Sequence, residues 1–318
     1  MFVSTINGGG SMYDVALFCK SFRDDLDRFD CLLQSVEKYN VRSIPFLVSV
    51  PRRDMNLFID KFGTSRFEIC SDYDLAGSDI SDGWTGQQIV KLSVYKSNFA
   101  KAYVMLDSDF FFIKDFDKST FIHSSGYPYT VITKLNYTYN PHNSNLLDYI
   151  FSQSTIHPHP DNFQSVKIDE INSIQGNSQV LFSPISFYDQ KYKPPAGQVK
   201  PATIIKEIFQ RTGEIYGFQP CPILSTDVLR SLDRDLLEPQ SFTFAHLIPI
   251  CPWEYSWYGE YLLSHKTIPI FPIEPICIYF VKDSDIDHAK ELGINLDTLS
   301  HKFYLVSLAA RHLSRFTF

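Results

Sequence analysis

The sequence lacks the cysteine patterns that stabilise small secreted domains or bind structural metals. Its six cysteines are scattered along the chain, with no C-x-x-C pair and no zinc-site spacing. Four of them sit in apolar surroundings, so we expect buried free thiols, which fit a reducing compartment. A disulfide framework and a zinc module are therefore both disfavoured.

The chain also lacks a basic excess. Its 29 Lys and Arg residues face 36 Asp and Glu residues, which gives a formal net charge of -7. Binding to nucleic acid requires positive charge that neutralises phosphates. We therefore expect no nucleic-acid partner, although a local basic group can still hold a small anion.

Long hydrophobic runs are missing too. The most apolar late segment, "IPIFPIEPICIYFV", is shorter than a membrane span and is interrupted by prolines and Glu274. The first residues show no basic start followed by a long apolar run, so a secretory signal is not expected. These features favour a cytoplasmic protein without a transmembrane segment, and they leave open peripheral contact with the inner face of a membrane.

What the sequence does have is a large apolar content and a regular alternation of two periods. It is 44% hydrophobic and 15% aromatic, which is enough for a substantial core. Between residues 13 and 109, short apolar runs typical of buried strands alternate with segments of helical spacing, such as "DDLDRFDCLLQSVEKYN". This pattern predicts an α/β fold with a mostly parallel sheet flanked by helices.

The pattern loosens after about residue 110. We expect a long loop or lid in "STIHPHPDNFQSVKIDEINSIQGNS", one late strand in "IPIFPIEPICIYFV" and a closing helix in "SHKFYLVSLAARHL". There are no internal repeats and no obvious linker. The simplest interpretation is a single domain over residues 1–318 with an ordered first half and an elaborated second half.

Two aspartates one residue apart follow the fourth predicted strand. In "AYVMLDSD" the apolar run ends at Asp107 and Asp109. Ligands of open α/β sheets bind outside the carboxyl ends of the strands, and residues two apart in an extended segment point the same way. Paired carboxylates are suitable ligands for Mg²⁺ or Mn²⁺. Asp-Ser-Asp can also simply cap a turn, but the flanking apolar runs favour a metal site.

Other polar residues are predicted at the same edge of the sheet. The helix that begins at "GWTGQQIVK" carries Gln87 and Lys91 one turn apart on one face, suited to a sugar hydroxyl and a phosphate. The segment after the first strand offers Lys20, Arg23 and Asp24 to a nucleotide. The alternative for Gln87 and Lys91 is an ordinary solvated helix face.

Taken in order, these segments resemble a known family. The helix with "GWTGQQ", the "DSD" after the fourth strand and the late "CPWEYSWYGEYLL" are similar to GT-A-type glycosyltransferases of a bacterial surface-polysaccharide group with GWxxQQ, DSD and EYxxYG segments. The resemblance implies a Rossmann-like sheet with a nucleotide-sugar-binding half at 13–116 and an acceptor-binding half at 117–318. It further implies transfer of a hexosyl or related group from a nucleotide-diphosphate sugar, most often a UDP- or GDP-sugar, to a glycan or lipid-linked glycan. Asp107 and Asp109 would serve Mn²⁺ or Mg²⁺ and the diphosphate.

A direct displacement by a hydroxyl needs a general base. The segment "WEYSWYGEY" supplies Glu254 and Glu260 among aromatic residues that can raise a carboxyl pKa, and we favour Glu254. Two alternatives stay open: a sugar-phosphate nucleotidyltransferase, and a non-catalytic carbohydrate-binding protein on the same fold.

Overall fold

The computed structural model describes residues 11–80, 83–134, 168–175, 201–280 and 283–308. The predicted lid lies mostly outside these ranges, and its described part contains a short helix. All statements on structure below concern the described residues.

The first half of the chain alternates strands and helices, as its hydrophobic pattern predicts. Apolar runs of four to six residues form the strands, and segments with one apolar face form the longer helices. The elements are β1 Ala16–Lys20, α1 Leu26–Tyr39, β2 Phe46–Val50, α2 Met55–Phe62, β3 Glu68–Ser71, α3 Asp72–Ala76, α4 Trp84–Ser93 and β4 Ala102–Asp107.

The second half is made mostly of shorter elements. They are β5 Phe110–Phe112, α5 Lys118–Phe121, β6 Tyr129–Val131, β7 Thr133–Lys134, α6 Ile168–Ser173, α7 Pro201–Ile208, β8 Tyr216–Gly217, β9 Ile223–Ser225, α8 Thr226–Leu232, α9 Phe244–Leu247, α10 Glu254–His265, β10 Phe271–Ile273, β11 Cys277–Phe280, α11 Asp283–Glu291, α12 Leu296–Ser300 and β12 Leu305–Leu308.

The main sheet has five strands in the order β3-β2-β1-β4-β9. The first four are parallel, and β9 runs antiparallel to β4. The protein is therefore a mixed α/β structure with a mainly parallel central sheet flanked by helices, as predicted. The chain leaves β1 toward β2 on one side and returns to β4 on the other, so the strand order reverses at β1. Such a reversal marks the crevice where ligands of open sheets bind.

Both faces of this sheet are buried, and the side chains of β1 divide between them. Phe18 packs in a cluster with Val90 of α4 and Trp257 of α10. Leu17 belongs to a second cluster with Phe29 of α1. Because successive strand residues point to opposite faces, one five-residue apolar run contributes to both cores. This double burial explains why the strands read as continuous apolar runs rather than as alternating patterns.

The closing helix predicted in "SHKFYLVSLAARHL" is wrong for the part of that segment that the structure describes as a strand. Residues 305–308 form β12, which lies between β11 and β5 in a three-stranded sheet. All four are buried, and a short apolar run covered on both faces cannot be told from a helix by periodicity.

The single late strand predicted in "IPIFPIEPICIYFV" is two strands, β10 and β11, in different sheets. Glu274 lies between them, almost fully buried, with its carboxylate 2.8 Å from Lys302 Nζ. Among the described residues, no helix is long and apolar enough to cross a membrane.

Candidate functional site at the carboxyl edge of the sheet

The carboxyl ends of the parallel strands bring the predicted polar residues together. Lys20, the last residue of β1, is paired in register with Asp107, the last residue of β4. Asp72 follows directly after β3 as the first residue of α3. The crevice where the strand order reverses is therefore bordered by an ammonium group and a carboxylate.

The Asp-Ser-Asp segment is held in place by its serine. Ser108 is buried, and its hydroxyl donates to Ser21 Oγ at 2.9 Å, which fastens the end of β4 to the residue that follows β1. Asp107 and Asp109 on either side are partly exposed. Burial, together with the negative charge of Asp107, raises the pKa of Asp109 to about 7. Two carboxylates thus crowd the strand end.

Lys91 supplies a positive charge next to one of these carboxylates, that of Asp107. It is a buried residue, and its Nζ lies 2.6 Å from Asp107 Oδ1 and 3.2 Å from Glu254 Oε1. Burial alone would lower the pKa of this ammonium, but the negative charges around it, of Asp107 above all, raise the pKa well above its ordinary value. Lys91 therefore stays charged and links the end of β4 to the start of α10.

Glu254 is the first residue of α10 and is also buried. Its backbone N–H donates to Gln88 Oε1 at 3.3 Å, one turn before Lys91 on α4. Burial raises the pKa of the Glu254 carboxyl, and the charge of Lys91 counteracts that rise. The contacts with Gln88 and Lys91 hold Glu254 against α4. Its carboxylate and that of Asp107 contact the same ammonium group.

Glu260, the other predicted base, has a different set of contacts. It is fully buried and forms an ion pair with Arg211, whose Nη2 donates to Glu260 Oε1 at 2.8 Å. Six residues along a helix correspond to a rotation of about 120° from Glu254, which explains why the two carboxylates face different partners. The structure places Glu254, and not Glu260, with Lys91 and Asp107.

A pocket opens beside this group and is lined by Lys20, Phe22, Asp72, Ile80, Gly83, Gly86 and Gln87. Two of its polar side chains are held in place by contacts with each other and with β2. Lys20 Nζ lies 3.1 Å from Asp72 Oδ2, and Ser49 Oγ donates to Asp72 Oδ1 at 2.7 Å. Phe22 and Ile80 supply apolar surface. The pocket contains two predicted residues, Lys20 and Gln87, together with Asp72, which sequence reasoning missed.

The remaining predicted residues, Arg23 and Asp24, are exposed at the start of the segment that leads to α1. The Arg23 guanidinium is held by the fully buried Asp54, which accepts its Nε at 2.7 Å and its backbone N–H at 3.1 Å. Arg23 therefore helps to neutralise Asp54. Asp24 does not line the pocket described above.

The chemistry of Asp107 and Asp109 suits a hard divalent cation. Two oxygen donors lie at the same strand end, and burial together with the charge of Asp107 raises the pKa of Asp109, so a bound cation would favour its ionised form. Within the described ranges, no group of three or more His, Cys, Asp or Glu residues could hold a metal ion. The described residues would therefore supply two ligands, and phosphate and water would supply the others.

The fold and site define a mixed α/β protein with a charged crevice at the carboxyl edge of its main sheet. Residues 15–155 match the model of a family of unknown function (DUF6492). No curated protein matches the chain. The matched range includes Lys20, Lys91, Asp107 and Asp109 but ends well before Glu254.

Proposed function

We propose that the protein is a metal-dependent glycosyltransferase of the GT-A type, which moves a sugar from a nucleotide-diphosphate donor to a hydroxyl group of a glycan acceptor. The observation that carries the proposal is the linkage Asp107–Lys91–Glu254 at the point where the strand order reverses. It joins a strand-end carboxylate suited to a cation and diphosphate to a second carboxylate suited to a base.

The pocket beside β1 and β3 would take the nucleoside part of the donor. Phe22 and Ile80 supply apolar surface there, and Lys20, Asp72 and Gln87 supply hydrogen-bonding groups. A nucleoside bound there lies beside Lys20, whose register partner is Asp107. The diphosphate would then extend toward Asp107 and Asp109.

Asp107 and Asp109 would hold Mn²⁺ or Mg²⁺ together with the donor's diphosphate. When bound, the cation offsets the negative charge that develops on the departing nucleoside diphosphate. Lys91 orients Asp107 by occupying its Oδ1. Its buried ammonium also adds a fixed positive charge beside the site, which favours an anionic leaving group.

Glu254 would take the proton of the acceptor hydroxyl as that oxygen attacks the sugar. Burial raises the pKa of the Glu254 carboxyl, and the positive charge of Lys91 counteracts that rise and so favours the ionised form that a base requires. A base in this role implies a single displacement, and therefore inversion at the anomeric carbon. The expected setting in surface-polysaccharide biosynthesis rests on the resemblance of the sequence motifs alone.

The test is a thermal-shift screen of UDP, GDP and their sugars, with and without Mn²⁺, followed by an assay of slow donor hydrolysis. A ligand that binds only the native state raises the melting temperature, by an amount that grows with its concentration. We expect at least one nucleotide sugar to stabilise the protein only when Mn²⁺ is present, and to be hydrolysed slowly. Stabilisation without hydrolysis would favour a binding protein. Turnover of a nucleoside triphosphate with a sugar phosphate would favour a nucleotidyltransferase.

A further inference from the structure

An exposed tryptophan lies next to the proposed site. Trp84, the first residue of α4, is 50% exposed, which is unusual for so large an apolar side chain. Its ring meets that of Trp253 with centroids 5.4 Å apart and planes at 77°. In this edge-to-face arrangement, part of the Trp84 ring stays open to solvent. Trp253 caps α10 and directly precedes Glu254.

The pair belongs to a row of contacts that leads to the carboxylates. Trp84, Gln88 and Lys91 are spaced i, i+4 and i+7 on α4, so they share one helix face. Trp84 contacts Trp253, Gln88 accepts from the Glu254 N–H, and Lys91 binds Glu254 and Asp107. Exposure falls along the row, from 50% at Trp84 to 2% at Gln88 and 3% at Lys91.

The helical spacing of this row also sets the distance between Trp84 and Lys91. Seven residues at 1.5 Å per residue place Trp84 about 10 Å along the helix axis from Lys91. That span corresponds to roughly two sugar rings. An extended ligand whose reacting hydroxyl lies at Glu254 would therefore pass over the tryptophan pair with its next ring or the one after it.

We propose that Trp84 and Trp253 form a platform that binds a pyranose ring of the acceptor glycan, one or two residues from the hydroxyl that reacts. This inference rests on the proposed function and adds the part of the site that holds the acceptor. A sugar ring presents C–H groups on its face and hydroxyls at its rim. The exposed indole suits the face and leaves the hydroxyls at the rim free to bind water or other polar groups.

The matched control is Tyr13, another exposed aromatic residue in an aromatic pair. It is 53% exposed, and its ring lies 5.1 Å from that of Phe99. Tyr13 precedes β1 and therefore lies at the amino edge of the sheet, opposite the site. Tyr13→Ala removes a comparable exposed ring without touching the proposed platform.

The experiment is saturation-transfer NMR with methyl glycosides and β-linked disaccharides of glucose, galactose, mannose and their N-acetylamino derivatives. Each is added to wild type, Trp84→Ala, Trp84→Phe and Tyr13→Ala in the presence of UDP or GDP and Mg²⁺, which is diamagnetic and leaves the ligand signals sharp. We expect at least one disaccharide to bind wild type and Tyr13→Ala. We expect Trp84→Ala to bind it about tenfold more weakly, because aromatic anchors of this kind dominate binding, and Trp84→Phe to fall between them.

A separate measurement keeps the two proposals apart. Calorimetric titration of UDP or GDP with Mn²⁺ should give the same affinity for wild type and Trp84→Ala. If the nucleotide binds and no saccharide signal depends on Trp84, the platform is wrong and the proposed function stands. If Trp84→Ala loses nucleotide affinity instead, the ring belongs to the donor pocket and the platform is also wrong. If neither nucleotide binds wild type, the proposed function is wrong, and the platform, which rests on it, is wrong as well.

Discussion

Lys91 Nζ lies 3.2 Å from Glu254 Oε1, and these two residues are 163 positions apart in the chain. Both are buried, and the same ammonium reaches Asp107 Oδ1 at 2.6 Å. One side chain of α4 therefore joins the first half of the chain, which carries the Asp-Ser-Asp segment, to the helix that carries the proposed base. A single buried cation is thus shared by two carboxylates, and under the proposed function it also positions the groups of the site.

Replacing Lys91 with Met should destabilise the fold as well as abolish transfer. The substitution leaves Glu254 buried without a counter-charge, and removing one member of a buried ion pair costs about 3–5 kcal/mol. Urea unfolding followed by circular dichroism measures the free energy of unfolding. Lys96→Met is the control, because Lys96 is exposed on the next turn and should change stability by less than about 0.5 kcal/mol. Equal stability of the two variants would contradict the bridging role.

Glu254→Gln should lower kcat by about a hundredfold or more with little change in donor affinity. A general base acts in the transition state, so its loss appears in turnover rather than in donor binding. Donor affinity is measured by calorimetry with Mn²⁺ and the nucleoside diphosphate. Glu260→Gln, on the same helix, should keep its kcat per folded molecule because its carboxylate pairs with Arg211. A dead Glu260→Gln beside an active Glu254→Gln would reverse the assignment.

The local parts of the fold could be predicted from the sequence. The strands of the first half are short apolar runs, and the DSD segment was expected at the end of the fourth of them. Asp72 could not be singled out, because α3 has only five residues and gives no clear periodic signal. Its position after an apolar run, like that of Asp107, was the one available signal.

The surroundings of Lys91 could not be predicted either. Its position on α4 was expected near the aspartates. The sequence of α4 alone, however, does not distinguish a lysine that binds phosphate at the solvent edge from a buried lysine that bridges two carboxylates. The difference is made by α10, which packs on α4 from far along the chain. The predicted contact of Lys91 with phosphate stays a prediction. The same packing separates Glu254 from Glu260, since only their helical rotation and their distant partners distinguish them.

Asp107→Asn and Asp109→Asn should both abolish transfer but should differ in stability. Asp107 pairs with Lys91, so its neutral replacement should reduce the free energy of unfolding by about 1–3 kcal/mol. Asp109 has a folded pKa of about 7, above its ordinary value of 3.8. Its ionised form therefore opposes folding, and Asn removes that penalty.

The pH dependence of the free energy of unfolding should show that ionisation of Asp109 opposes folding. Near pH 4 the carboxyl is largely protonated in the folded protein, and Asp109→Asn should match wild type in metal-free buffer. As the pH rises from 4 to 7, the unfolded chain ionises freely while the folded group resists. Wild type should then lose stability relative to Asp109→Asn, by on the order of 3 kcal/mol. Urea unfolding at several pH values with a chelator present measures the difference, and a constant difference would refute the raised pKa.

Arg211→Met tests whether the buried ion pair of Arg211 with Glu260 is purely structural. Arg211 is fully buried with Glu260, and its Nη2 also donates to the Glu214 carbonyl at 2.6 Å. The substitution strands a buried carboxylate and a carbonyl, so the free energy of unfolding should fall by about 3–5 kcal/mol. Adding Glu260→Gln removes the stranded charge and should recover more than half of that loss, whereas independent sites would show additive losses. Because neither residue contacts the Asp107–Lys91–Glu254 group, the double variant should keep wild-type kcat per folded molecule. A large loss of kcat in that folded variant would place Glu260 back among the candidate catalytic residues.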